Sequence, residues 1–171
     1  MPRCMRKRIL FCLLPFFLTS CHENSKSAVE SEADKRLRAQ MLLECDSCIR
    51  NDTLRGRVIE ISKEGMRKYP DSHMFPTAAG FAYALMGNDS MADVYFEKAL
   101  HVCDSMLAES PTTYDSCEKV LILVMLDRRE EAESLYNAAP CILDLVQGAP
   151  FDSIMRREKW LDCFKTNEHR H

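Results

Sequence analysis

The segment 80–100 constrains the fold more than any other part of the sequence, because its small and aromatic residues recur at helical spacing. Apolar residues at three- and four-residue intervals put one stripe on a helix, with Glu97 and Lys98 on the opposite side. That stripe consists of Ala92, Phe96, Ala99, Leu100, Cys103 and Leu107. Gly87 and Asn88 separate it from a second stripe upstream. The pattern predicts two antiparallel helices joined by a tight turn.

The order of these residues resembles the tetratricopeptide repeat, a helix-turn-helix unit of about 34 residues. Before the turn at Gly87, the pattern has the small residue Gly80 and the aromatic Tyr83. After the turn it has the small residues Ala92 and Ala99 on either side of the aromatic Phe96. In that family small residues lie where helices cross closely, and an aromatic side chain fills the gap. The resemblance implies an all-α fold of stacked hairpins and a protein that binds partners and does not catalyse.

The upstream segment 39–72 repeats this outline less faithfully than the segment 73–106. In its second helix, Val58, Ser62 and Gly65 take the matching places. Asn51, Asp52 and Thr53 supply a turn and a cap before a helix over 54–68, which Pro70 prevents from continuing. Asp46 stands where the first helix of a faithful repeat has a close-packing glycine.

The downstream segment 113–146 repeats the outline of segment 73–106, with Ala132, Tyr136 and Ala139 at the places of Ala92, Phe96 and Ala99. Within it, the run Val120–Leu126 is apolar all round and by itself is compatible with a buried strand. The repeat phase and the charged residues on either side favour a helix that is buried on two sides. The sequence thus predicts about three hairpins within residues 35–146.

Residues 147–171 are predicted to form a capping segment and a tail, because an array of repeats needs a terminal cap with a polar outer side. Within this range, 151–164 puts apolar residues toward one side and charged residues toward water. It resembles the block that often closes tetratricopeptide arrays, in which a Phe-Asp pair precedes an arginine and then an aromatic-leucine pair. A C-terminal capping helix is therefore expected.

The N-terminus begins with basic residues followed by the apolar run Ile9–Leu18, about half the length that a membrane-spanning helix needs. The ending Leu18-Thr19-Ser20-Cys21 resembles the lipobox of bacterial lipoproteins. This resemblance implies that residues 1–20 are a signal peptide, that Cys21 is lipidated, and that lipid is the chain's only contact with the membrane. By resemblance to enterobacterial lipoproteins, the absence of Asp after Cys21 favours an outer-membrane anchor facing the periplasm, and surface exposure stays open. In the alternative, an ordinary secretory peptide, Cys21 is incidental.

Residues 21–34 are polar and suit a flexible tether, with a helix start from Ser27 onward as the alternative. Removal of the signal peptide leaves 19 Lys and Arg against 26 Asp and Glu, a net charge of about −7. An acidic chain without a Lys/Arg-rich run lacks the counterion release that drives binding to nucleic acids. Nucleic acid is therefore excluded as a partner.

Six cysteines remain after Cys21, and export would place them in an oxidising compartment. An antiparallel hairpin around Pro111 would bring Cys103 and Cys117 face to face, and a bridge from Cys141 to Cys163 would fasten the cap. The alternative is that all six are small apolar core residues.

Cys45 and Cys48 have the spacing of thiol-disulfide oxidoreductases and of half a zinc site. A redox or metal-binding thiol protein is therefore a second hypothesis, and an inert structural spacer is a third. The pair falls inside a predicted helix, without a preceding strand or a second ligand pair, so core packing or a local structural bridge is favoured. No phosphate-binding loop or nucleophile motif occurs, so no catalytic residue, cofactor or metal is predicted.

By position in the repeats, the first helices line the inner face of the array, which in the family holds peptides or partner helices. The predicted partner groove comprises Leu43, Ser47, Arg50, Met74, Thr77, Phe81, Ala84, Tyr114, Cys117, Leu121 and Met125. Because this face is mostly apolar, an apolar peptide or amphipathic helix of an envelope protein is the expected partner. The alternative is that the chain's own C-terminal segment fills the groove.

Overall fold

The computed structural model describes residues 30–110, 112–138 and 155–165, apart from the side chains of Thr113 and Tyr114. All regular elements in these ranges are helices, which confirms the predicted all-α class. The helices are α1 (Glu32–Ile49), α2 (Arg55–Lys68), α3 (Met74–Leu85), α4 (Asp89–Glu109), α5 (Thr113–Met125), α6 (Arg129–Ala138) and α7 (Arg157–Asp162), with a short 3-10 helix (Asp52–Leu54) before α2. None of the described helices combines the length and the apolar run needed to cross a bilayer.

Side-chain caps begin several of the helices. Asn88 accepts a hydrogen bond from the Met91 N–H at 3.2 Å, and Thr112 accepts one from the Asp115 N–H at 3.1 Å. Gly87, with φ of 76°, supplies the left-handed residue that ends α3, as the predicted turn requires.

The helix α1 begins earlier than the tether prediction allows. Ser31 caps it by accepting a hydrogen bond from the Asp34 N–H at 3.1 Å, and the helix then runs from Glu32. Residues 32–34 are therefore helical rather than part of a flexible tether. The alternative of a helix start within this segment describes the structure better, because the capping serine outweighs the polar composition.

Each helix from α1 to α5 packs against the next helix along the chain, α1 also packs against α3, and α7 packs against α3. Every residue from Val120 to Met125 is buried, so this run is a helix buried on both sides, as predicted, and not a strand. Part of the predicted cap, residues 151–154, lies outside the described residues. The described part of the cap is α7 together with Phe164, which is buried in the main core.

Two glycines set how closely the helices approach. A Cβ added at Gly80 would lie 2.7 Å from the ring of Phe96 on the next helix. A Cβ added at Gly65 would lie 2.2 Å from the ring of Phe75, which joins α2 to α3. The contact of Gly80 with Phe96 fits the predicted alternation of small and aromatic residues, whereas the contact of Gly65 with Phe75 was not predicted.

A buried arginine fastens the ends of two helices. The Arg55 guanidinium donates to the carbonyl oxygen of Ile49 at 3.4 Å and to that of Leu85 at 3.0 Å, and it also pairs with the Asp52 carboxylate. Carbonyl groups in the last turn of a helix lack partners within the helix and favour a cation. Arg55 therefore couples the C-terminal ends of α1 and α3.

Candidate functional site

A cavity lies where the odd-numbered helices α1, α3 and α5 converge. Its lining residues are Cys45, Asp46, Ile49, Met74, Thr77, Ala78, Phe81, Glu118, Leu121 and Phe164. The lining is largely apolar, and the polar groups come from one residue on each of the three helices. The cavity of about 40 Å³ has room for a few water molecules and not for a peptide.

The structure brings together only part of the predicted groove. Met74, Thr77, Phe81 and Leu121 all line the cavity. Ala84, Cys117 and Met125 are buried in the core, whereas Leu43 and Ser47 are exposed on α1. The side chain of Tyr114 lies outside the described residues.

The C-terminal segment covers this face. The Phe164 ring, only 6% exposed, lies 5.2 Å from the ring of Phe81 between centroids. Arg50 places its guanidinium 5.9 Å from the centroid of the same Phe164 ring. Met155, at the start of the segment, is also buried. In this structure the alternative holds: the chain's own C-terminal segment occupies the face that the sequence assigns to a partner.

A second contact holds the segment at the start of α4. The Arg157 guanidinium donates to Asp93 and to Asp89, each at 2.9 Å. Arg157 also lies over the ring of Phe96, with its Cζ 6.0 Å from the centroid. The two carboxylates stand near the N-terminal end of a helix, where negative charge is favoured, and they present a double acceptor that an arginine matches.

A buried charged cluster borders the cavity and was missed from the sequence. His73 is 1% exposed, and its Nε2 lies 3.7 Å from Oε2 of Glu118, a lining residue. Neither ring nitrogen of His73 makes a hydrogen bond within the described residues. No short motif joins these two residues, since 45 positions separate them. Only the unusual burial of two titratable groups reveals the pair.

Burial shifts the pKa values of this cluster. Burial alone would lower the pKa of His73, but the neighbouring Cys103 thiol and Glu118 carboxylate outweigh it and raise the pKa to about 10. Burial raises the pKa of the Cys103 thiol, which is fully buried. A nucleophilic cysteine needs a thiolate that substrate can reach. The geometry therefore fits a structural ion pair of His73 with Glu118, beside the neutral thiol of Cys103.

The pair Cys45 and Cys48 is equally unsuited to redox chemistry. Both are buried in α1 and remain thiols, and burial raises the pKa of Cys45 to about 12 and raises that of Cys48. A reactive cysteine in this spacing has a lowered pKa at a helix N-terminus, whereas Cys45 lies in the last turns of its helix. Its sulfur lies 3.9 Å from the hydroxyl oxygen of Ser62. The geometry fits the core-packing interpretation.

Of the two predicted disulfides, the structure describes both cysteines of only one pair, Cys103 and Cys117, and no bridge joins them. Cys103 and Cys117 are both buried thiols, which fits the alternative of small apolar core residues. Cys141 lies outside the described residues, so the predicted bridge from Cys141 to Cys163 is not tested. Oxidation of either pair stays a prediction. Within the same ranges, His, Cys, Asp and Glu side chains form no group of three that could hold a metal ion.

No family model matches the chain, and neither a curated protein nor a solved structure is significantly similar to it.

Proposed function

We propose that this chain is a lipid-anchored scaffolding module of the bacterial cell envelope, built from tetratricopeptide-like hairpins and binding a peptide or helix of a partner envelope protein. The observation that carries the proposal is that α1, α3 and α5 line one largely apolar face, on which the Phe164 ring of another segment is bound. In repeat arrays of this type, the first helices of successive hairpins form the binding face. The close approach of Gly80 to Phe96 supports tight packing within a hairpin, and that of Gly65 to Phe75 supports close packing between successive hairpins.

The anchor in this proposal is Cys21, which lies outside the described residues. Lipid on this cysteine would hold the domain at the outer membrane on its periplasmic side. Two or three acyl chains bind far more strongly than one, because each buried methylene contributes about 0.8 kcal/mol. The acidic net charge of the mature chain would repel anionic headgroups, so attachment would depend on the lipid.

Replacing Cys21 by Ser should abolish incorporation of radiolabelled palmitate in bacterial cells and move the protein from the membrane fraction to the soluble fraction. The reason is that only a cysteine sulfur at this position accepts the diacylglycerol. The matched control is Cys12→Ser, which changes a cysteine within the apolar run of the signal peptide. Label retained by Cys21→Ser would contradict the lipid anchor.

A test of partner binding at this face needs a substitution that does not disturb the core. Phe81 is 5% exposed and packs edge-on against Phe96 with ring centroids 5.5 Å apart. Its truncation would therefore cost about 3–5 kcal/mol of stability and confuse lost folding with lost binding. Ser47 is exposed on α1 and lies three residues, about one helical turn, before Arg50, which contacts the Phe164 ring. A photo-crosslinking amino acid at Ser47 reports on the face without removing a core contact.

In intact cells, crosslinking from position 47 is expected to capture one envelope protein through a short segment, identified by mass spectrometry. The control places the same amino acid at Lys63, which is exposed on α2. Identical products from both positions, or no product from position 47, would contradict binding at this face. The second outcome would instead favour the inert spacer.

A further inference from the structure

We infer that the C-terminal segment 155–165 is an internal copy of the partner: the face that it covers recognises a segment with an arginine followed, seven residues later, by an aromatic residue. In this chain these are Arg157 and Phe164. The inference rests on the proposed function, since it names the chemistry of the partner that the same face would accept. It follows from two separate contacts of the segment with the hairpins.

The first contact recognises charge and geometry. Arg157 reaches Asp89 and Asp93 at 2.9 Å each, and its side chain keeps only 19% of its exposure. The two aspartates are 72% and 51% exposed, so they form a surface site and not a core pair. Two carboxylates one helical turn apart match the fork of a guanidinium better than the single ammonium of lysine.

The second contact recognises an aromatic ring. Phe164 packs on Phe81, lies under Arg50 and forms one wall of the cavity. A ring stabilised by an aromatic face, a cation and an apolar wall gains from burial and from both ring interactions. An aliphatic residue at this position would lose the ring interactions.

The hairpins do not need the segment for most of their core. The main cluster is built largely from α1–α6, to which the segment adds Met155 and Phe164 as its buried residues. Trp160 and Leu161 are only partly buried against this cluster. The segment can thus exchange with a partner segment of the same chemistry, and its covalent attachment gives it a high effective concentration that the partner must overcome.

The test uses the full lipidated chain in detergent and a labelled peptide with the sequence of residues 153–166, with Ser in place of Cys163. Fluorescence anisotropy measures binding to the wild-type chain, to Arg157→Glu, and to the double variant Arg157→Glu/Phe164→Ala. Because the partners of Arg157 are exposed carboxylates outside the core, Arg157→Glu keeps the test valid if the double variant loses helicity. We expect both variants to bind the peptide at least tenfold more tightly than the wild-type chain.

Specificity is tested by adding Asp89→Asn/Asp93→Asn to the Arg157→Glu chain, which should weaken peptide binding at least tenfold. The matched control adds Glu109→Gln, at the opposite end of the same helix, and should leave binding unchanged. A peptide with Leu in place of Phe164 should also bind at least tenfold more weakly. The inference would be overturned if the wild-type chain bound the peptide as tightly as the two Arg157→Glu variants. It would also be overturned if replacing the two aspartates left peptide binding unchanged. A gain that coincides with dimers in light scattering would overturn it as well, because the segment would then serve a second copy.

Failure of the inference is distinguishable from failure of the proposed function. A specific crosslink from position 47 together with no peptide binding would keep the partner face and reject the arginine-aromatic chemistry. Peptide binding with no crosslinked envelope protein would keep the chemistry of the face and reject an envelope partner.

Discussion

Gly65→Ala is expected to lower the free energy of unfolding by about 3 kcal/mol, because a single methyl group has no room between α2 and α3. The added Cβ would lie 2.2 Å from Cδ1 and 2.4 Å from Cε1 of Phe75. That ring is fully buried and stacks on Tyr69 with centroids 5.9 Å apart, so it cannot turn aside without moving its neighbour. Urea denaturation followed by circular dichroism measures the loss.

The matched control for this substitution is Gly56→Ala in the same helix. Nothing lies within 4 Å of a Cβ added at Gly56. There the better helix propensity of alanine should raise the free energy of unfolding by up to about 1 kcal/mol. If Gly65→Ala proved as stable as Gly56→Ala, close packing of α2 against α3 would be refuted.

Local spacing in the sequence was enough to predict most of the helices and turns, although not the start of α1 at Glu32. Gly87 and Asn88 mark the turn between α3 and α4, and the pairing of Gly80 with Phe96 follows from one helical hairpin. The contact of Gly65 with Phe75 joins two predicted hairpins, and the repeat pattern alone does not specify it.

Contacts between distant residues could not be predicted in the same way. Phe164 and Phe81 are 83 positions apart, and nothing local in either segment indicates that they meet. The sequence offered two possible occupants for the groove, a partner and the chain's own C-terminus, because both present the same apolar chemistry. The pairing of His73 with Glu118 was missed for a related reason: glutamate is usually exposed, and a single histidine gives no sign of whether it is buried.

Replacing Glu118 by Leu is expected to lower the free energy of unfolding by about 3–5 kcal/mol, because it leaves the buried His73 without its charged partner. The two side chains are 7% and 1% exposed, so water cannot take the place of the carboxylate. The double variant His73→Leu/Glu118→Leu should recover most of this loss, since two apolar residues leave no unpaired charge. A double-mutant cycle by urea denaturation measures the coupling.

The same pair predicts how stability depends on pH. The pKa of His73 is raised to about 10 in the folded chain, against an ordinary value of 6.5. The stabilisation is therefore complete below pH 6.5 and is lost as pH rises toward 10, with a slope of up to about 1.4 kcal/mol per pH unit. Between pH 7 and 8.5 the wild-type chain should lose stability relative to the double variant. Because both chains keep Cys103, whose pKa burial raises in the folded chain, the difference reports mainly on the pair. If the two chains showed parallel pH profiles, His73 would be neutral in the folded chain. Glu118→Leu should then lower the free energy of unfolding far less than predicted.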